Sequence, residues 1–282
     1  MLREKFSNSY KEDFNNLFYM HDPLPGKKEA YAQLGFHNFL NDENEVLQNS
    51  KIIFTCVKPD QISVVLNKTK HLITPDSLIV SIAAGIPIEY MENLYINNLK
   101  NEKIEKNIDT YNEVPKIVRI MSNHLCSINE AGSVYSVNKK CEIEDEDLIQ
   151  FLLQEIGLCK KIDEKLMNPF TALTGSGPAF VYHFIESLVD AGLKNGIDLV
   201  TAREYAVQTV YASALYVKNI EKNNPNSIQY IVTTPKGTTI AGLNELNKHA
   251  FKYSVSEAVT KASERGEEIE KAKLADQESK KI

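Results

Sequence analysis

The run Ile52-Ile53-Phe54-Thr55-Cys56-Val57 constrains this chain more than any other stretch. It is continuous, rich in β-formers, and stopped by Lys58-Pro59. A strand of this kind predicts a parallel sheet covered on both faces. Two further strands follow, Leu78-Ile79-Val80-Ser81-Ile82 and Lys116-Ile117-Val118-Arg119-Ile120-Met121. Between them, residues 61–70 read as a helix carrying Val64, Val65 and Leu66, and residues 88–99 as a second helix. Strands alternating with helices make an open α/β sheet. Such a sheet binds ligands beyond the carboxyl ends of its strands. Those ends are Val57-Lys58-Pro59, Ala83-Ala84-Gly85 and Ser122-Asn123. Each is small, polar or turn-forming, as a nucleotide cleft requires, although every α/β protein has strand-ending turns.

Upstream, Leu17-Phe18-Tyr19-Met20 reads as a strand closed by the turn His21-Asp22-Pro23, another strand-end segment. Residues 27–33 read as a short helix, Leu34-Gly35-Phe36-His37 as a strand or its approach, and residues 41–49 as a polar helix with Val46 and Leu47 inward. Ser133-Val134-Tyr135-Ser136-Val137 reads as one more strand, and residues 98–115 as a surface insertion without a core face. After about Lys161 the pattern becomes wholly helical. Phe180, Phe184, Leu188 and Gly192 give one apolar face, and Gly196 ends that helix. Asp198 caps the next, which carries Ala206, Val210, Ala214 and Val217 on one side. Residues 240–246 and 251–262 supply two more helices. The charged tail from Glu264 reads as a solvated helix that frays.

A chain of 282 residues has room for two domains, and 43% hydrophobic with 25% charged residues is an ordinary globular balance. A net charge of -6 gives nucleic acid no electrostatic support. No apolar run approaches the length that spans a bilayer. The start, Met1-Leu2-Arg3-Glu4-Lys5-Phe6, has no apolar signal core, and Glu4, Glu12 and Asp13 oppose a transit peptide. The four cysteines, Cys56, Cys126, Cys141 and Cys159, never form a C-x-x-C pair. They read as reduced, mostly core residues of a cytoplasmic protein, and no metal site is expected.

Two stretches carry chemistry. Thr171-Ala172-Leu173-Thr174-Gly175-Ser176-Gly177-Pro178-Ala179 places two glycines around a serine and leads through a proline into an apolar helix. It predicts a short break between helical segments, a feature that also serves as a plain helix junction. Thr233-Thr234-Pro235-Lys236-Gly237-Thr238-Thr239-Ile240 is a second turn, packed with hydroxyls, at the start of another helix. N–H groups and hydroxyls at a helix start can hold a carboxylate. Together the two stretches resemble the signature of the pyrroline-5-carboxylate reductase family, Ser-Gly-Ser-Gly-Pro-Ala followed downstream by Ser-Pro-Gly-Gly-Thr-Thr. The resemblance runs over residues 17–262.

That resemblance implies an α/β Rossmann-like N-terminal domain, truncated at its start, over residues 1–163, and an all-α dimerisation domain over residues 164–282. It implies reduction of a small cyclic imino acid, 1-pyrroline-5-carboxylate, to L-proline by hydride transfer from NADPH or NADH. It implies a homo-oligomer, at least a dimer, with neither nucleic acid nor membrane as partner. Ser176, Gly237, Thr238 and Thr239 match substrate-binding positions, and Thr239 the hydroxyl that serves the ring nitrogen. His21, Asp22, Val57, Lys58, Pro59, Ala84 and Asn123 are the expected cofactor residues. The acidic Asp22 should favour NADH over a 2′-phosphate.

Four departures stand beside the resemblance. Only about sixteen residues precede the strand matching the family's second, so the first strand and its glycine-rich phosphate loop are expected to be missing and NAD(P)H to bind weakly or not at all. Lys236 replaces the first glycine of Pro-Gly-Gly, at a cost of about 1 kcal/mol if that position is left-handed. Ser122-Asn123-His124-Leu125 keeps only the asparagine of the usual Pro-Asn-Thr-Pro turn. Gln229-Tyr230 replaces a Lys-Asp pair. Two other readings stay open. One is a β-hydroxyacid dehydrogenase of the same architecture, for which the lysine motif is not found. The other is an impaired paralogue that acts as a subunit or interaction protein.

Overall fold

In the computed structural model, residues 17–102, 113–220 and 225–279 are described. The short helices α1 (Lys27–Gln33) and α2 (Glu43–Gln48) precede the sheet, and Asp42 caps α2 by accepting the Glu45 N–H at 3.0 Å. The apolar runs form β1 (Ile52–Thr55), β2 (Leu78–Ser81) and β3 (Lys116–Met121), paired in parallel. The crossovers contain α3 (Ile62–Thr69) and α4 (Ile88–Glu102). The insertion residues 103–112 lie outside the described residues. β4 (Ala131–Val137) turns back antiparallel to β3, and β5 (Gly157–Lys161) lies parallel to β4 across α5 (Ile143–Gln154). The sheet is therefore mixed, in the order β1-β2-β3-β4-β5.

The alternation of strand side chains divides the core in two. Ile53, Ile79 and Ile117 face α3 and α4, burying Ile62, Leu66, Met91 and Tyr95. Leu78, Val80, Val118, Ile120 and Tyr135 face α5 through Ile149 and Leu153. β2 is covered on both faces as expected, but β1 is not: it is the edge strand, and Ile52 and Phe54 remain 39% and 46% exposed. The core against α5 draws its strand residues from β2, β3 and β4 and stops short of β1.

The expected strand at residues 17–20 does not form. Met20 makes one isolated bridge with Phe39. The aromatic residues of this stretch pack on one another instead, Phe18 on Phe36 and Tyr31 on Phe39, each pair 6.1 Å apart. The four cysteines are free, but they are not the core residues expected: Cys56 is exposed and the others are half-buried.

Beyond β5 the chain is helical: α6 (Met167–Phe170), a π-helical turn (Thr171–Gly175), α7 (Gly177–Lys194), α8 (Leu199–Asn219), α9 (Pro225–Ile231), α10 (Thr238–Lys248) and α11 (Phe251–Ser279). The break expected near Gly175 is thus a wide helical turn, and neither Gly175 nor Gly177 adopts positive φ. Asp198 caps α8 by accepting the Thr201 N–H at 3.1 Å. The residues fall into two compact units, Met1–Thr171 with Arg265–Ile282, and Ala172–Glu264. The division lies after residue 171, and the terminal half of α11 belongs with the sheet. That half does not fray. Leu274 packs against the core of α3 and α4, and the buried Gln277 Nε2 donates to Tyr90 O at 2.9 Å.

Candidate functional site

Three strand ends lie side by side in the first unit. Thr55 is in register with Ser81, and Ser81 with Arg119, so the turns that follow β1, β2 and β3 are neighbours. Lys58 and Ala84 are exposed there, while Val57, Pro59 and Asn123 are half-buried. Ser81 Oγ accepts the Ala83 N–H at 3.3 Å and shapes the second turn. In the third, Ser122 and Ser133 share a hydroxyl hydrogen bond at 2.9 Å, and Asn123 Oδ1 accepts the Leu125 N–H at 3.1 Å. These five expected cofactor residues therefore come together at one edge of the sheet.

His21 and Asp22 follow the isolated bridge at Met20, outside the five-stranded sheet. His21 Nδ1 lies 3.3 Å from Leu40 O, and its Nε2 3.8 Å from Glu43, which also pairs with Lys68 at 2.6 Å. Lys68 is in the last turn of α3. Asp22 Oδ1 accepts the Leu24 N–H at 3.0 Å and serves its own turn. With only one bridge at residues 17–20, no ladder ties this segment to the strand ends of the sheet.

The second unit carries the hydroxyl-rich turn. Lys236 has φ 57°, the left-handed conformation its motif position anticipates. Gly237 is the N-cap of α10, and a Cβ there would lie 2.3 Å from Thr234 Oγ1. No side chain caps this helix. The first N–H groups of α10, including those of Thr238 and Thr239, are therefore left for an outside acceptor, at the positive end of the helix. Ser176 is half-buried at the N-cap of α7, which also has no side-chain cap. Lys236→Gly should stabilise the protein by about 0.5–1 kcal/mol, because relief of left-handed strain exceeds the added freedom of the unfolded chain. The check is the urea midpoint, and a fall in it would refute the strain.

Burial pushes the thiols of Cys141 and Cys159 up to about 11, with Asp145 adding to the rise at Cys141. Both stay protonated at neutral pH and offer no nucleophile. Among the described residues, no cluster of three His, Cys, Asp or Glu side chains is placed to hold a metal ion, and no helix is long and apolar enough to cross a membrane. One group escaped the sequence reading: Arg119, buried in β3 beside Glu164 and Glu270. Its signal was a cation inside an apolar strand, which demands carboxylates from somewhere.

Residues 164–269 match the family model described as pyrroline-5-carboxylate reductase dimerisation. The chain is 32% identical to pyrroline-5-carboxylate reductase from Pisum sativum, over 87% of its own length and 83% of the relative's. It is also 32% identical to the reductase of that name from Methanosarcina acetivorans, over 88% of this chain and 85% of the other. The structure of Plasmodium falciparum pyrroline carboxylate reductase with NADP bound superposes with a TM-score of 0.74 at 29% identity, covering 89% of this chain and 87% of that one. The architecture is accordingly a Rossmann-like sheet followed by a helical dimerisation domain. Matched at this level over most of those relatives' length, the chain belongs to the pyrroline-5-carboxylate reductase family.

Proposed function

We propose that the protein reduces 1-pyrroline-5-carboxylate to L-proline with NADPH or NADH, as a cytoplasmic enzyme that is at least a homodimer. The observation that carries this reading is the uncapped start of α10, where Gly237, Thr238 and Thr239 present free N–H groups and hydroxyls in a chain of this family. Such a helix start suits the substrate carboxylate.

The residues present suit the nicotinamide end of a dinucleotide. Turns at the ends of three parallel strands offer backbone groups, the Asn123 amide and the exposed Lys58 ammonium at one edge. A bound NAD(P)H would supply the hydride for the C=N carbon. The chain's own task is to orient the imine and let its nitrogen gain a proton. The N–H groups of Thr238 and Thr239 would hold the carboxylate, with Ser176 as a further hydroxyl of the substrate site. The Thr239 hydroxyl, too weak an acid to act alone, would donate a hydrogen bond at the ring nitrogen and relay a proton from water.

Two tests apply. Purified full-length protein, given the imine and either reduced dinucleotide, should consume dinucleotide and form proline in equal amounts. 1-Pyrroline, which lacks the carboxylate, should be a poor substrate. Absence of turnover with both dinucleotides would overturn the reading. For assembly, the apolar cluster among the described residues of the second unit is small, Val189, Ala202 and Ala206, while Tyr182, Phe184, Tyr205, Tyr211 and Tyr216 stay exposed. So thin a core supports burial against a second copy. Light scattering at micromolar concentration should return at least twice the chain mass, and a monomeric mass would refute the dimer.

A further inference from the structure

Arg119 is the fourth residue of β3, and its side chain is only 3% exposed. A guanidinium in that position requires acceptors around it. Its Nη1 donates to Glu164 Oε1 at 3.0 Å, and its Nη2 donates to Glu270 Oε1. The same Glu164 oxygen accepts the N–H of Ile88, the first residue of α4, at 2.8 Å. One carboxylate thus ties β3 to the helix that leaves the Ala83-Ala84-Gly85 turn.

Glu270 works from the other side. Its neighbour Ile269 packs directly on that turn: a Cβ built on Gly85, where φ is +70°, would lie 2.7 Å from Ile269 Cγ2. Further along α11, Gln277 holds the carbonyl of Tyr90 in the first turn of α4. Glu270 and Gln277 lie beyond the dimerisation match, which ends at residue 269. A planar guanidinium with fixed donors sets the positions of both carboxylates at once, which a lysine ammonium would not.

We propose that Arg119, pinned between Glu164 and Glu270, is a positioning residue for the dinucleotide: it sets the turn Ala83-Ala84-Gly85 at the carboxyl end of β2. The proposal rests on the reading that this turn belongs to the cofactor half of the site. Arg119 itself touches neither reactant. Its effect passes through Glu164 to the start of α4, and through Glu270 and Ile269 to Gly85.

The test uses Glu270→Gln, which keeps size and an acceptor but removes the charge, and Arg119→Lys, in the full chain. In both variants, the KM for the dinucleotide should rise about tenfold, while kcat and the KM for the imine stay within about twofold. Hydrogen exchange of residues 82–90 in the unliganded protein should accelerate about fivefold, with peptides of α8 unchanged. Both KM values rising in parallel with a falling kcat would mean general loosening and would overturn the proposal. Unchanged exchange at residues 82–90 would overturn it too. If Arg119→Lys fails to fold, Glu270→Gln decides alone. If the wild-type protein reduces no imine, the functional reading fails, and the exchange rates still decide whether Arg119 sets the turn.

Discussion

Thr239→Ala should lower kcat about 10²-fold, at the lower end for a positioned proton-transfer group. That is about 2.7 kcal/mol of transition-state stabilisation. The affinity for the dinucleotide should barely move, because the proposed cofactor turns belong to the other unit. The competing account makes Thr239 a helix cap, worth about 1 kcal/mol of stability. The geometry disfavours that account: the N-cap of α10 is Gly237, and no side chain caps the helix. Alanine is also the stronger helix former, so the melting temperature should hold or rise slightly. Steady-state kinetics and thermal unfolding on the same preparation separate the two accounts. Normal turnover would remove Thr239 from the mechanism, and low turnover with a lowered melting temperature would return it to a structural role.

The parts of this chain that read clearly from sequence are those where one physical signal dominates. β1, β2 and β3 are short apolar runs between turn residues, and nothing else suits them. The cap Asp198 carries a local mechanism, and the place of Lys236 in a glycine motif raised the left-handed conformation it adopts. What escaped depends on partners distant in sequence. Gly157–Lys161 has two lysines and little burial, so hydropathy does not mark it, and only its ladder with β4 makes it a strand. The antiparallel turn of β4 is a matter of pairing, which hydropathy does not encode. Leu17-Phe18-Tyr19-Met20 has a strand's composition, yet aromatic contacts within the segment take its place. The tail misled because its anchors, Glu270, Leu274 and Gln277, are few among many solvated charges.

The site divides in the same way. Lys58, Ala84 and Asn123 were legible because every strand of a parallel sheet ends at the same edge, a topological rule that needs no contact map. His21 followed the same rule, but the strand before it is reduced to one bridge, so the rule does not place it. Arg119 was visible as an anomaly, but Glu164 and Glu270 lie 45 and 151 residues away, and only the fold names them.

The largest stability effect is expected at Gly157, which no motif singles out. It opens β5 with φ +142° and pairs with Ala131 at the start of β4. A Cβ there would lie 2.2 Å from Ala131 O and 2.5 Å from Ala131 N. These are backbone atoms, and Ala131 N already donates to Ile156 O at 3.0 Å, so neither strand can yield without breaking the ladder. Gly157→Ala therefore adds a clash to a backbone strain, each costing about 1–3 kcal/mol, for a total of about 4 kcal/mol. Gly196 supplies the control. Its φ is +89°, but a Cβ there meets nothing within 4 Å. Gly196→Ala should cost only the left-handed strain, about 1–2 kcal/mol. At about 2–4 °C per kcal/mol, Gly157→Ala should melt about 8–16 °C below the wild type and Gly196→Ala about 2–8 °C below it. Equal shifts in the two variants would show that β4 and β5 separate without cost, and that the close approach of Gly157 to Ala131 does not hold that edge of the sheet.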